Sequence, residues 1–135
     1  MITYTDSLED ISASELQGFF VGWPNPPTPD THLKLLRSSY EVELAIDEQT
    51  SQVVGFITAI SDGVLSAYIP FLEVLPSHQG QGIGQELTRR MLEKLSGIYM
   101  VDLLCDAELQ DFYARLGMQP ARGMMLRNYD RQSGQ

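Results

Sequence analysis

The spacing of hydrophobic and polar positions changes period several times along the chain, and each change predicts an element. Ile2–Thr5 reads as a short first strand. Ser12–Phe20 has a helical pattern, with Ser12 placed to cap it and Glu15 three residues on. The prolines of 22–29 forbid regular helix or central strand, because each removes a donor and fixes φ. A second helix then opens with Thr28 as N-cap and Pro29 at the first helical position, carrying Leu33, Leu35 and Leu36 as its stripe as far as Ser38. Beyond it the period falls to two. Glu41–Ile46 alternates, Val53–Ile60 and Leu65–Leu75 are apolar and β-rich, and turn residues at 47–52 and 61–63 join the three into an antiparallel meander. Ile83–Leu95 returns to helical spacing, with Ile83, Leu87, Met91, Leu92 and Leu95 on one face. Ile98–Cys105 is almost wholly apolar, the pattern of a strand buried on both faces. Asp106 caps a helix over Ala107–Leu116 that Gly117 ends, and Met124–Tyr129 reads as a last strand. The predicted order is β-α-α-β-β-β-α-β-α-β: an α/β (α+β) fold with a mixed sheet, in one domain spanning 1–135.

Length and composition agree with that reading. The 135 residues are enough for a sizeable core, and 43% hydrophobic with 20% charged residues is ordinary for a globular protein. Cys105 is the only cysteine, so no intrachain disulfide forms and no oxidising compartment is required. The first twelve residues lack the basic and apolar regions of a signal peptide, and no stretch approaches a membrane span. The expectation is a soluble, cytoplasmic protein.

Charge adds a direction. The net charge is −9, which repels nucleic acid and anionic membrane surfaces and draws in cations. It is also uneven: only Lys34 and Arg37 are basic before residue 89, and the other seven basic residues follow. An acidic front half fits a cationic substrate, although acidity also serves solubility alone.

The chemistry-bearing segment is the glycine loop after Pro76. Gly80, Gly82 and Gly84 sit between a strand and a helix, where glycine permits conformations closed to other residues and lets a ligand approach the backbone. The first N–H groups of the helix have no intrahelical partner and sit at the positive end of its dipole, so the loop suits phosphate or pyrophosphate. It is not a P-loop, since no Lys-Ser/Thr follows. It departs from the dinucleotide fingerprint as well, with Gln85 where the third glycine belongs and too little chain after Cys105 to complete such a domain. A glycine-rich turn holding no ligand is the bland alternative.

Gln79-Gly80-Gln81-Gly82-Ile83-Gly84 resembles the Gln/Arg-x-x-Gly-x-Gly/Ala signature of the GCN5-related N-acetyltransferase (GNAT) superfamily. Asp111-Phe112-Tyr113-Ala114-Arg115-Leu116-Gly117-Met118 is similar to that family's Phe-Tyr-x-x-x-Gly-Phe segment, with Met118 replacing the usual phenylalanine. The predicted element order follows the family along nearly the whole chain.

The resemblance implies acetyl-CoA as acyl donor. The backbone from Gln79 through Gly80, Gln81, Gly82, Ile83 and Gly84 to Gln85 would hold its pyrophosphate, and Leu72 and Val74 would pair edgewise with its pantetheine arm. It implies that the strand carrying Leu72 splays from the next one, opening a V-shaped gap for the donor. Arg89, Arg90 and Arg115 are candidates for the 3′-phosphate, against plain surface charge. Family members transfer the acetyl group directly to an amine in a ternary complex, so Cys105 is expected to be buried packing.

Tyr113 matches the tyrosine that protonates the leaving thiolate, against ordinary packing; its unperturbed phenol is protonated at neutral pH. Glu73, pointing opposite to Leu72 and Val74, is the candidate base, with Glu41, Glu43, Tyr68 or a water chain as alternatives. Phe19–Pro29 would wall the acceptor site or simply cover the core. His32 and His78 lack the company of other ligands, so no metal is expected. The implied partners are acetyl-CoA and a cationic amine, with no nucleic acid or membrane, in a monomer or homodimer. A non-catalytic acyl-CoA-binding regulatory module is the alternative to the enzyme.

Overall fold

The computed structural model describes residues 1–135 and contains one five-stranded mixed sheet with helices on both faces. The strands are β1 (Ile2–Thr5), β2 (Glu41–Asp47), β3 (Gln52–Ser61), β4 (Ser66–Val74) and β5 (Met100–Asp102), in spatial order of sequence. The first four pair antiparallel, as the alternation and turn residues predict. Where Ala45 pairs with Gly55 and Ile46 with Val53, the extra residue Val54 makes a bulge in β3.

Helix α1 (Pro29–Ser38) begins where the capping chemistry places it: Thr28 Oγ1 accepts the Thr31 N–H at 3.2 Å, and Pro29 occupies a position that needs no donor. It covers one face of the sheet, over Leu16, Phe19, Phe20, Leu44 and Phe56. Helix α2 (Ile83–Lys94) covers the other face with Ile83, Leu87 and Met91, and Leu95 follows at its end. Each such side chain contributes about 1.5–3 kcal/mol by leaving water. Helix α2 lies close against β3 at Gly55, where a Cβ would stand 3.1 Å from Leu87 Cδ1 and 3.2 Å from Ile83 Cγ2. A glycine in mid-strand thus sets how near α2 approaches.

Four expected elements differ. Over Ser12–Phe20 only a single 3₁₀ turn forms, at Ala13–Glu15. Glu15 does reach back to accept the Ser12 N–H, at 3.0 Å, but Gly18 (φ +89°) and Phe20 (φ +62°) take left-handed conformations that end any helix. The strand expected over Ile98–Cys105 shrinks to β5. It is an edge strand and is not buried on both faces: Met100 and Asp102 are exposed and Val101 is half-buried. Ala107–Leu116 divides into a 3₁₀ turn and a short α3 (Gln110–Ala114), and Met124–Tyr129 forms no strand at all. No helix is long and apolar enough to cross a membrane.

Candidate active site

Strands β4 and β5 run parallel and pair only at Ser66–Met100, Ala67–Val101 and Tyr68–Asp102. From Ile69 to Val74, β4 keeps β3 on one side and has no strand on the other. The sheet therefore opens into a wedge just where Leu72 and Val74 lie. Beyond the free edge the chain makes a 3₁₀ turn at Pro76–His78 and enters the glycine loop.

The loop turns a row of unpaired backbone donors outward. Gly80 has φ +79° and Gly82, the N-cap of α2, has φ +81°, conformations that side chains rarely adopt. A Cβ placed on either would meet no atom of the chain within 4 Å, so both positions border open space. The Glu86 N–H is the first to find an intrachain acceptor, at Gly82 O; the six amides from Gly80 to Gln85 donate to none. Those donors cluster at the positive end of a twelve-residue helix, where an anion is stabilised. Gln79 anchors the loop to the wedge, its Nε2 donating to Val74 O at 3.0 Å. A second anchor is His78, whose Nε2 lies 2.9 Å from Asp47 Oδ2 while Nδ1 lies 2.7 Å from Ser77 Oγ. That contact holds the Asp47 carboxyl below the usual carboxylate range.

Tyr113 lies on α3. It lines a cleft of about 1280 Å³ together with Tyr68, Cys105 and Met118. Burial, and secondarily the nearby Cys105 thiol, push the Tyr113 phenol above its ordinary value of 10. The glycine loop does not line this cleft, but Phe112 connects the two: its Cζ lies 3.9 Å from where a Gly84 Cβ would be, and its ring meets Tyr113 edge-on at 5.0 Å. Cys105 is a free thiol on the cleft wall and only partly covered, not the buried packing residue expected. It is uncovered for the same reason as the rest of its segment, the absence of a strand beyond β5.

Glu73 projects to the opposite face from Leu72 and Val74. Its Oε1 accepts the Phe20 N–H at 2.9 Å and its Oε2 accepts the Val21 N–H at 3.2 Å. The carboxylate thereby fixes a loop in which Phe20, a bulky residue, has positive φ, a conformation normally disfavoured. Phe19 and Phe20 are buried against Phe56 and His32, and Trp23 leans on Phe20 at the loop's half-exposed rim. Phe19 and Phe20 therefore belong to the core, leaving Trp23 as the aromatic that faces outward.

Of the alternative bases, Tyr68 lines the cleft with Tyr113, while Glu43 and Glu41 fall elsewhere. Glu43 is 3% exposed beneath α2, within 3.5 Å of Arg90 and 3.7 Å of Lys94, and burial raises its carboxyl above the ordinary range. Glu41 lies 3.7 Å from the same lysine. Arg89 and Arg90 are engaged with Glu86, holding its carboxyl down to about 2, and Arg90 also covers the Tyr4 ring. Of the three arginines considered for a phosphate, only Arg115 is without an ion pair.

The clamp of Glu73, the Asp47–His78 anchor and the six undonated amides are features that no sequence spacing announces, although the glycines mark the last of them.

Residues 8–118 match the acetyltransferase (GNAT) family. A solved structure of a proposed acetyltransferase from Deinococcus radiodurans R1 is 46% identical, with a TM-score of 0.94 over 98% of this chain and 92% of that one. A GNAT family acetyltransferase from Streptococcus pneumoniae TIGR4 is 30% identical, with a TM-score of 0.76 over 95% of this chain and 98% of that one. Among sequence relatives, an uncharacterized N-acetyltransferase from Pyropia yezoensis is 29% identical over 84% of this chain and 68% of its own length. GCN5-related N-acetyltransferase 2, chloroplastic, from Arabidopsis thaliana is 29% identical over 82% of this chain, which spans about half (51%) of that protein. The chain belongs to the acetyltransferase (GNAT) family.

Proposed function

We propose that residues 1–135 form a single N-acetyltransferase domain that moves an acetyl group from acetyl-CoA to a primary amine. The observation that carries this reading is the run of six amides, Gly80–Gln85, that donate to nothing within the chain at the start of α2. Such a row suits a pyrophosphate, and the free edge of β4 beside Leu72 and Val74 offers backbone groups for the amides of a pantetheine arm.

In the reaction, a neutral amine attacks the thioester carbonyl as the C–N bond forms and the C–S bond breaks. The Tyr113 hydroxyl gives its proton to the departing thiolate, and its raised pKa keeps that proton available at neutral pH. Glu73 accepts the proton that the amine loses. With one N–H already on each oxygen, each retains a further acceptor site, and the proton reaches it through water. The acceptor is a cation before deprotonation, drawn by the acidic front half of the chain.

Calorimetry with acetyl-CoA, NAD and ATP tests the cradle: acetyl-CoA is expected to bind 1:1, with the other two much weaker. Thiol release with a panel of amines tests turnover. Binding without release on any amine would leave the regulatory module in place of the enzyme.

A further inference from the structure

His32 is a polar group that the core surrounds and does not satisfy. It sits on α1, 1% exposed, with ring centroids of Phe56 at 4.4 Å, Phe20 at 5.0 Å and Phe19 at 5.3 Å. Neither ring nitrogen has a hydrogen-bond partner. Such a site disfavours the charged imidazolium far more than the neutral ring. Burial accordingly lowers the pKa of His32 from 6.5 to about 4.

The charged groups of the elements packed around it are all committed elsewhere. On α1 itself Asp30, Lys34 and Arg37 are exposed, as are Glu9 and Asp10 beside Ile11 and Asp130 and Arg131 near the C-terminus. Glu15 is engaged with Ser12. On β2, Glu41 and Glu43 turn to Lys94 on the opposite face. β3 presents the apolar Phe56, and on β4 both oxygens of Glu73 hold the Phe20 and Val21 N–H groups. A proton on His32 therefore has to be met by water, and something must open to admit it.

The two sides of the imidazole differ in what opening costs. β3 lies in the middle of the sheet and is paired along both edges. The loop that carries Phe19 and Phe20 is held far more lightly. Between Gln17 and Pro27 three backbone groups bond to the rest of the chain: the Phe20 and Val21 N–H groups to Glu73, and the Asn25 N–H to Gln132 Oε1. Phe20 is strained as well, with φ +62°. Lifting this loop exposes the ring without breaking the sheet. We infer that His32 is an acid-sensitive latch, whose protonation releases the Phe20–Trp23 loop from Glu73 while the sheet stays folded. The closed form binds the proton less readily than the open one, so the latch is shut above about pH 6.5 and is driven open as pH falls toward 4. Between pH 7.5 and pH 5 the ratio of open to closed rises about thirtyfold. The latch stands independently of the acetyl-transfer reading. Where Glu73 serves as base, it also makes the setting of that carboxylate depend on pH.

Amide hydrogen exchange of the full chain tests the latch without any turnover. The protection of the Phe20 and Val21 amides, corrected for the intrinsic exchange rate, should fall about thirtyfold from pH 7.5 to pH 5. It should be lower than that of the β3 amides at both pH values and insensitive to low urea, which marks a local opening. His32→Leu should fold with these two amides protected equally at the two pH values. Should that variant fail to fold, the imidazole ¹⁵N shifts of the wild type decide instead: His32 should stay neutral down to about pH 4. A His32 already charged at pH 6 overturns the inference. So does an undiminished fall in His32→Leu, or a loss of protection that follows the β3 amides through urea, because the opening would then be global unfolding.

Discussion

Glu73 Oε1, near the end of β4, accepts the backbone N–H of Phe20 at 2.9 Å, fifty-three positions earlier in the chain. The contact lies on the α1 face of the sheet, the face opposite Leu72 and Val74. With the second bond from Val21 it ties the loop bearing Trp23 to the strand that borders the wedge. Removing the carboxylate leaves two amides without their charged acceptor, so Glu73→Ala should lose about 2 kcal/mol in denaturant unfolding.

Glu73→Gln separates the clamp from proton transfer. The amide oxygen still accepts one N–H, so the stability loss should be about half that of the alanine variant. If Glu73 takes the amine proton, kcat should fall about 10²-fold near neutrality. The deficit should shrink at higher pH, where more of the amine is already neutral. A deficit independent of pH would reduce Glu73 to its clamp.

His32 makes stability depend on pH. It is 1% exposed, packed 4.4 Å from the Phe56 ring and 5.0 Å from Phe20, and neither ring nitrogen has a hydrogen-bond partner. Burial lowers its pKa from 6.5 to about 4. The folded state therefore binds the proton less readily than the unfolded chain. Its stability is complete above about pH 6.5, falls as pH drops toward 4, and levels off below. Between pH 8 and pH 5 the loss from this group is about 2 kcal/mol. Urea unfolding at the two pH values measures it, and His32→Leu should remove most of the difference. An equal slope in the variant would assign the acid sensitivity to other groups.

These cases mark what was legible in the chain and what was not. Thr28 with Pro29, and the Ile83–Leu87–Met91–Leu95 stripe, are local signals, and both helices form where those residues put them. The alternation of β2 and the turns at 47–52 and 61–63 likewise carry the meander. The Gln79–Gly84 loop was legible because its conformation needs glycine. Ser12–Phe20 was misread because burying Leu16, Phe19 and Phe20 together requires left-handed backbone at Gly18 and Phe20, a tertiary demand that overrides local helical spacing. Met124–Tyr129 was misread for a related reason: strand composition is not strand pairing, and this segment makes no backbone hydrogen bond to the free edge of β5. The Glu73–Phe20 contact leaves no trace in spacing at all.

Gly82 and Gly84 should respond oppositely to alanine. Gly82 has φ +81°, so Ala costs about 1–2 kcal/mol although its Cβ would meet nothing. The strained backbone would also shift the neighbouring amide donors, so acetyl-CoA binding should weaken as well. Gly84 lies in the first turn of α2, where a Cβ would make ordinary contacts with Val74 at 3.7 Å and Phe112 at 3.9 Å. There Ala should raise stability by up to about 1 kcal/mol and keep binding. Gly84→Glu adds bulk and negative charge and should abolish binding in a folded protein. Thermal unfolding and calorimetry on the three variants check the pattern; full affinity in Gly84→Glu would take the loop out of the site.

Tyr113→Phe removes one hydroxyl and leaves the ring on Phe112 and the cleft wall, so unfolding and acetyl-CoA affinity should barely change. The phenol is pushed above 10 first by burial and then by Cys105. A donor with a raised pKa stays protonated through the physiological range, so the wild-type rate should show no loss from this group below about pH 10. If the hydroxyl acts only as the thiolate departs, kcat and kcat/KM fall together in the variant. The expected loss is about 10²-fold, typical of a positioned proton donor. Measurement requires saturating amine at fixed pH, because amine deprotonation would otherwise hide the step. Raising the leaving-group acidity supplies the complementary check: an acyl donor with a more acidic thiol needs less protonation, so the gap between Phe and Tyr should narrow. An unchanged kcat with the natural donor would return Tyr113 to packing and leave water to protonate the thiolate.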